Sequence, residues 1–322
     1  MFTKTVVLPV DIEEAFALIT EPERLRRWQT VSARIDLRVG GDYRWTVTPG
    51  HRAAGTFREV EPGRRIVFGW GFEDDTDLVP DSSIVSIDLE PVPGGTRVTL
   101  THEGLDAMQE VKHAEGWNHY LGRLGKAAAS GEAGPDEWSA APEHLDELTA
   151  AEATLAVLQN VLRRLTDEDK PKQTPCADWT CHGLALHLFD SMTSFGTMAG
   201  VEVRRPETGS LEHKVATAAA QAVEGWRVRG IEGSVGHPGG GEIPAAFAAG
   251  VMPVEFLLHA WDMAEGSGKP MVVSDELVAY VHKLAEQVVP GGRGSSFAAE
   301  ITPSPQADPM ARLAAYAGRR VI

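Results

Sequence analysis

The sequence predicts two domains of different class, an α+β domain built on an antiparallel sheet followed by an all-α domain. Its 322 residues are about twice what an ordinary domain holds. Apolar residues alternate with period two through residues 33–102, and beyond about residue 140 that alternation gives way to spacings of three and four. Between the two regimes lies SGEAGPDEWSAAP, rich in Gly, Pro and acids and without either period. The expected division is a first domain over 1–130, a linker over 131–143 and a second domain over 144–322.

In the first domain, Ile12, Ala15, Phe16 and Ile19 sit at helical spacing among acids, and Pro22 ends that helix near Thr20 before a second short turn carrying Leu25 and Trp28. From Ala33, the residues Ile35, Leu37 and Val39 alternate with charged neighbours, turn at Gly40-Gly41, and resume with Tyr43, Trp45 and Val47 as a hairpin. Further strands are predicted over 56–60, 65–72, 83–90 and 96–102, with turns at Pro62-Gly63 and Gly94-Gly95. All these connections are short, which requires antiparallel pairing. A long helix over 108–129 then offers Val111, Trp117, Leu121 and Leu124 to the apolar face of the sheet.

In the second domain, the leucines of 144–165 recur at helical spacing, and Thr180 is placed to cap a second helix running to about Gly196. A third helix is predicted over 211–228, a fourth opening at Pro253 and running to about Ala264, and a fifth over 275–288 capped by Ser274. Gly236 to Gly241 reads as a connection, Phe297 to Ile301 as a short strand-like segment, and 311–317 as a last turn or two.

The formal charge of −16 is spread evenly, with 15 basic and 24 acidic residues up to position 143 and 15 and 22 thereafter. No basic face is available for a phosphate backbone or an anionic bilayer, so neither nucleic acid nor membrane is an expected partner. The first residues lack a secretory signal and no stretch reaches membrane-spanning length, so a cytoplasmic protein is expected. Two cysteines, Cys176 and Cys181, are too few for a disulfide scaffold or a four-thiolate zinc site.

The segments EPERLRRWQT, RVGGDYRW, GTFREVEPGRRIVFGW and GGTRVTLTHEG, followed by the helix containing EGWNHYLGRL, occur in an order that resembles the family named after the activator of the heat-shock ATPase, within the START-like (SRPBCC) helix-grip superfamily. The resemblance implies an apolar cavity between sheet and long helix for a small apolar molecule, with Trp45, Phe68, Trp70, Ile87, Leu100, Trp117 and Leu121 as candidate lining. The same side chains would equally serve as an ordinary filled core. Trp28, His102, Glu103 and His113 fall nearer the expected mouth. The sequence has no counterpart of that activator's separate N-terminal domain, so ATPase activation is not the expected role.

The residues that point to chemistry lie in the second domain. In VEFLLHAWDMA, Glu255 and His259 are four apart and share a helix face, with Asp262 one turn further. The flanking Phe256, Leu257, Leu258 and Trp261 are apolar, and a carboxylate in such surroundings needs a partner. A surface ion pair is one solution and a metal ion another. His187 lies in WTCHGLALHLFDSM among Leu184, Leu188 and Met192, an apolar setting on another helix. Two imidazoles and a carboxylate form a ligand set for a divalent ion, Zn2+ first, with Fe2+, Ni2+ or Mn2+ also suited to it. Three protein ligands leave at least one position for water or substrate, and no catalytic residue beside them is marked by the sequence.

TPCADWTCHGLALHL, HAWDMAEGSG and the stretch from SSFAAEI through DPMARLAAYAGRR together resemble the metal-binding proteins related to mycothiol-dependent maleylpyruvate isomerase, within the DinB-like superfamily. This implies a DinB-like four-helix bundle with His187, Glu255 and His259 as metal ligands and Asp262 behind them. It departs from that family's pattern at Cys181-His182-Gly183. The functions it implies are a transferase or isomerase that uses a low-molecular-weight thiol such as mycothiol on a small apolar electrophile. The alternatives are a non-enzymatic apolar-ligand-binding or scaffold protein and a metal-dependent hydrolase.

Overall fold

The computed structural model describes residues 1–322 apart from Ala141, Glu143, Pro238, Val321 and Ile322. Two positions of the expected linker and one of its Gly-rich connections therefore lie outside the described residues. The chain divides into two compact units, Met1–Asp136 and Glu137–Ile322.

The first unit is a seven-stranded antiparallel sheet gripped by helices. Its elements are β1 (Phe2–Leu8), α1 (Ile12–Thr20), α2 (Pro22–Leu25), β2 (Ser32–Ile35), β3 (Asp42–Thr48), β4 (His51–Glu61), β5 (Arg65–Trp70), β6 (Ser83–Val92), β7 (Gly95–Glu103) and α3 (Ala107–Ser130). The strand order is β1-β7-β6-β5-β4-β3-β2. Each hairpin pairs strands adjacent in sequence, as short turns dictate, while β1 closes the other edge against β7, with Val6 opposite Val98. Register shifts, in β3 between Thr46 and Thr48 against β4 and in β4 between Phe57 and Glu59 against β5, bend the sheet. The Asp106 side chain caps α3 by accepting from the backbone N–H groups of Met108 and Gln109.

Three local expectations are corrected here. β1 was not predicted: only Val6 and Leu8 mark it, and its partner strand is some ninety residues away, so its pairing has no local signal. The second strand stops at Ile35, because the Asp36 N–H bonds to Asp42 O and the chain turns through Gly40 at φ 76°, leaving Leu37 and Val39 exposed. Val111 faces solvent; Trp117, Tyr120, Leu121 and Leu124 form the buried stripe of α3 instead.

The residues just after α3 are fastened to the first unit. The Arg123 guanidinium donates to the carbonyls of Gly134 and Pro135, and Nε2 of His119 pairs with Asp136. A helical turn, α4 (Glu137–Ala140), follows.

The second unit is mostly α-helical. Its elements are α5 (Glu147–Arg164), α6 (Cys181–Met198), α7 (Leu211–Arg229), a small hairpin of β8 (Ser234–Gly236) and β9 (Glu242–Pro244), α8 (Ala245–Ser267), α9 (Asp275–Val288) and α10 (Pro309–Tyr316). Helices α5 and α6 each pack against both α7 and α8. The Thr180 and Ser274 hydroxyls accept from the N–H groups of Gly183 and Leu277, capping α6 and α9 as their sequences predict. The hairpin replaces part of the expected Gly-rich connection, and in place of the strand-like segment Phe297 alone forms an isolated bridge to Arg293.

The fourth helix also departs from expectation. Pro253 was expected to open it, but α8 begins at Ala245 and carries Pro253 in its interior. A proline there removes one backbone donor and crowds the preceding turn, a cost of ~3 kcal/mol in an isolated helix. The burial of Ala248, Ala249, Met252, Val254, Phe256, Leu257 and Leu258 offsets it. Buried along most of its length and largely apolar except where Glu255, His259, Asp262 and Glu265 fall, α8 packs against α5, α6 and α9 as the central helix of the unit. No helix among the described residues is long and apolar enough to cross a membrane.

Candidate metal centre

The two elements that carry the centre are α6 and α8. Four-residue spacing on α8 puts Glu255 and His259 on one face, and α6 presents His187 to that face. The side chains converge on one atom, Oε1 of Glu255: His187 Nε2 lies 3.0 Å from it and His259 Nε2 3.4 Å. One ligand atom from each of the three residues lies within 4.8 Å of the others. Ligands held at 2.0–2.1 Å around a tetrahedral ion stand about 3.3 Å apart, so the donor set fits a divalent metal in chemistry and in spacing.

Side chains around the cluster orient it. Asp262 Oδ2 lies 3.1 Å from Nδ1 of His259 and is fully buried. It holds the Nδ1 proton and leaves Nε2 to face Glu255, the arrangement in which a carboxylate behind a histidine fixes its tautomer and ring plane. Ser191 Oγ donates to Oε1 of Glu255 at 2.7 Å. The Trp179 indole stacks on the His187 ring, with centroids 5.1 Å apart.

Burial opposes both charges of the central pair, and the pair outweighs it. Burial would raise the Glu255 carboxyl, but His259 and then His187 hold it well below the usual range. Burial would lower His259, but Glu255 and then Asp262 hold it up at about 9. Without metal, His259 is therefore an imidazolium facing a carboxylate.

His182 is exposed, away from the cluster. Its backbone N–H donates to Lys170 O. Burial pushes the Cys176 thiol up to about 11 against the opposing Arg319, so it is no activated nucleophile. Ser191 and Trp179 went unnoticed in the sequence, although Ser191 stands four residues after His187 and that spacing could have flagged it. Arg319, which pairs with Asp262, carries no local signal.

In the first unit, the seven candidate lining residues are all buried. The rings pack on one another: Trp45 and Phe68 at 5.6 Å, Trp45 and Trp70 at 6.1 Å, Trp70 and Trp117 at 5.1 Å between centroids. Trp28 and His102, expected near a mouth, are buried. Trp117 Nε1 donates to Nδ1 of His102, so that ring carries its proton on Nε2 and donates to Ser83 Oγ, which in turn donates to Trp70 O. Trp70 Nε1 donates to His113 Nε2, leaving His113 Nδ1 to donate to Gln109 O. This chain of bonds ties α3 to the sheet and uses every ring nitrogen of both histidines. Trp45 Nε1, by contrast, is buried with no hydrogen-bond partner.

Residues 9–129 match the family described as Activator of Hsp90 ATPase homolog 1-like protein. The first unit is an Activator of Hsp90 ATPase homolog 1-like domain of helix-grip type. An AHSA1-like protein from Rhizobium etli of known structure is 39% identical to this chain, covering 45% of this chain and 90% of that one with a TM-score of 0.36. DynU16, from the dynemicin biosynthetic locus, is 22% identical with a TM-score of 0.37, and the match covers 41% of this chain but 48% of DynU16, about half its length. Uncharacterized proteins from two strains of Mycobacterium tuberculosis are each 27% identical over 193 residues, 55% of this chain and all of theirs. The AHSA1-like domain ends before the metal cluster begins, so the chemistry of the second unit is argued from its own residues.

Proposed function

We propose that this protein binds a divalent metal, with Zn2+ the first candidate, through His187, Glu255 and His259, and binds a small apolar molecule in its AHSA1-like domain, without catalysis as the primary role. The observation that carries the metal reading is the convergence of two imidazole Nε2 atoms on one carboxylate oxygen at 3.0 and 3.4 Å. The ligand reading rests on the helix-grip fold and on the orphaned Trp45 N–H, a buried donor that an acceptor atom on an otherwise apolar ligand would satisfy.

A second reading is favoured by the openness of the cluster. Among the described residues three side chains offer ligand atoms, and the His187 side chain is 33% exposed, so a fourth position is within reach of water or of a low-molecular-weight thiol. A bound divalent ion would stabilise such a thiolate. His187, Glu255 and His259 would hold the ion, and Asp262 would keep His259 in the coordinating tautomer. This reading, of a thiol-dependent transferase or isomerase on a DinB-like bundle, rests on the resemblance of the ligand segments.

The experiment is a calorimetric titration of the full chain with Zn2+ after chelator treatment, followed by assay of the loaded protein for thiol-dependent consumption of a generic electrophile. Saturable binding at one equivalent without thiol consumption is expected. No saturable binding would reject the metal reading, and thiol turnover that disappears on chelation would replace the non-enzymatic reading with the second.

A further inference from the structure

Behind the metal cluster the Asp262 carboxylate that faces His259 meets a second charge. Asp262 has no exposed surface and Arg319 is 7% exposed. Arg319 Nε stands 3.5 Å from Asp262 Oδ2, the same oxygen that faces His259 Nδ1. The arginine comes from the chain just after α10, more than fifty residues beyond α8. Its guanidinium is held on its other sides: Nη1 donates to Ala317 O at 3.1 Å, Nη2 reaches Cys176 Sγ at 4.0 Å, and the Phe297 ring lies beneath it at 5.4 Å. Its backbone N–H bonds to Ala314 O at 2.9 Å.

We propose that Arg319 is a positioning residue for the metal centre, holding the Asp262 carboxylate in the place from which it aims His259 at the metal. The inference rests on the metal-binding reading above and concerns only the residues behind the ligands. A buried carboxylate needs an opposite charge, and a buried guanidinium does as well. Among the described residues neither Asp262 Oδ1 nor Arg319 Nε has a hydrogen-bond partner, so the polar restraint on this buried carboxylate falls on Oδ2, where Arg319 acts as a facing charge at 3.5 Å. Two groups supply that restraint, His259 and Arg319. Remove Arg319 and, among the described residues, the histidine is the one polar group left facing Oδ2, so the carboxylate loses part of its hold on the ring plane. The fixed, forked guanidinium suits this task because its other nitrogens are already occupied by the Ala317 carbonyl and the Cys176 sulfur. The C-terminal segment thereby becomes part of the metal centre without touching the ion.

The test is a double-mutant cycle on the full chain, read by Co2+ binding in competition with a chelator and by the visible Co2+ absorption bands, which report ligand geometry. Arg319→Met should weaken Co2+ binding about 10-fold or more, within the range found for residues behind metal ligands, and should shift the bands. Arg319→Lys, which keeps the charge but not the fork, should recover part of the affinity. In an Asp262→Asn background, Arg319→Met should cost little further, because the carboxylate through which it acts is gone. Unchanged affinity and bands in a folded Arg319→Met protein would overturn the proposal, as would an equal further loss in the Asp262→Asn background. Should Arg319→Met fail to fold, Arg319→Lys carries the same decision: wild-type affinity and bands overturn the proposal, and weaker binding with shifted bands supports it. Failure of the wild-type protein to bind Co2+ would instead reject the metal reading itself, and the proposal with it.

Discussion

Asp262 Oδ2 stands 3.1 Å from Nδ1 of His259, three residues away on α8, and this contact decides which nitrogen of the histidine faces Glu255. Replacing Asp262 with Ala frees the ring to rotate and to move its proton. Metal affinity should fall about 10–100-fold while His187, Glu255 and His259 remain in place. Chelator competition measures the loss, and an unchanged affinity would show that packing alone holds the ring.

His187→Ala and His259→Ala each remove one of only two imidazoles in the cluster. Both variants should lose most bound metal on dialysis against a weak chelator, whereas His182→Ala, on an exposed side chain of the same helix, should keep it. Metal analysis by mass spectrometry distinguishes the three, and full retention in both of the first two would remove the assignment.

Metal and protons compete for His259. The metal-free protein keeps this imidazole charged up to about pH 9, and coordination needs it neutral, so binding should release a proton and tighten as pH rises towards 9. The metal-free stability runs the other way. A raised histidine pKa contributes fully below the unfolded value of 6.5 and is lost as pH rises through about 9. The depressed Glu255 contributes above its unfolded value of 4.5 and is lost as pH falls below that. Metal-free protein should therefore be most stable between these limits. Titrations in buffers of different ionisation enthalpy count the released proton, and pH-independent binding between 6 and 9 would contradict the coupling.

Trp117 both fills the core of the AHSA1-like domain and donates to His102. Trp117→Phe should cost about 1–3 kcal/mol by stranding the buried Nδ1 acceptor, and Trp117→Ala about 3–5 kcal/mol through the added cavity. Urea unfolding followed by the sheet signal measures both. A Trp117→Phe protein as stable as the wild type would mean that the hydrogen bond contributes nothing, and equal costs would mean that the cavity adds nothing.

Burial, with His113 next, pushes the His102 imidazole down to about 3. The folded domain thus resists protonating a group that the unfolded chain protonates near 6.5. Stability should be intact above that value and fall as pH drops from 6.5 towards 3, by roughly 5 kcal/mol over the whole window. The ring nitrogen shifts of His102 should keep their neutral pattern to about pH 4, and a midpoint near 6.5 would show that the ring is not enclosed.

The periodicities alone determined the two classes of secondary structure, because alternation and helical spacing are local consequences of burying one face. They also determined the Glu255–His259 pair, since four residues on any helix bring two side chains to one side. Caps at Thr180 and Ser274 were equally legible, being side-chain bonds to backbone three residues on. Tertiary structure alone decided the rest. β1 exists because β7 offers an unpaired edge, α8 runs through Pro253 because its burial outweighs one missing donor, and His102 is neutral because Trp117 claims its Nδ1. Arg319 reaches Asp262 from a separate segment, and no spacing in the sequence could announce it. Such contacts join residues far apart in the chain, where only the packing of whole elements sets which side chains meet.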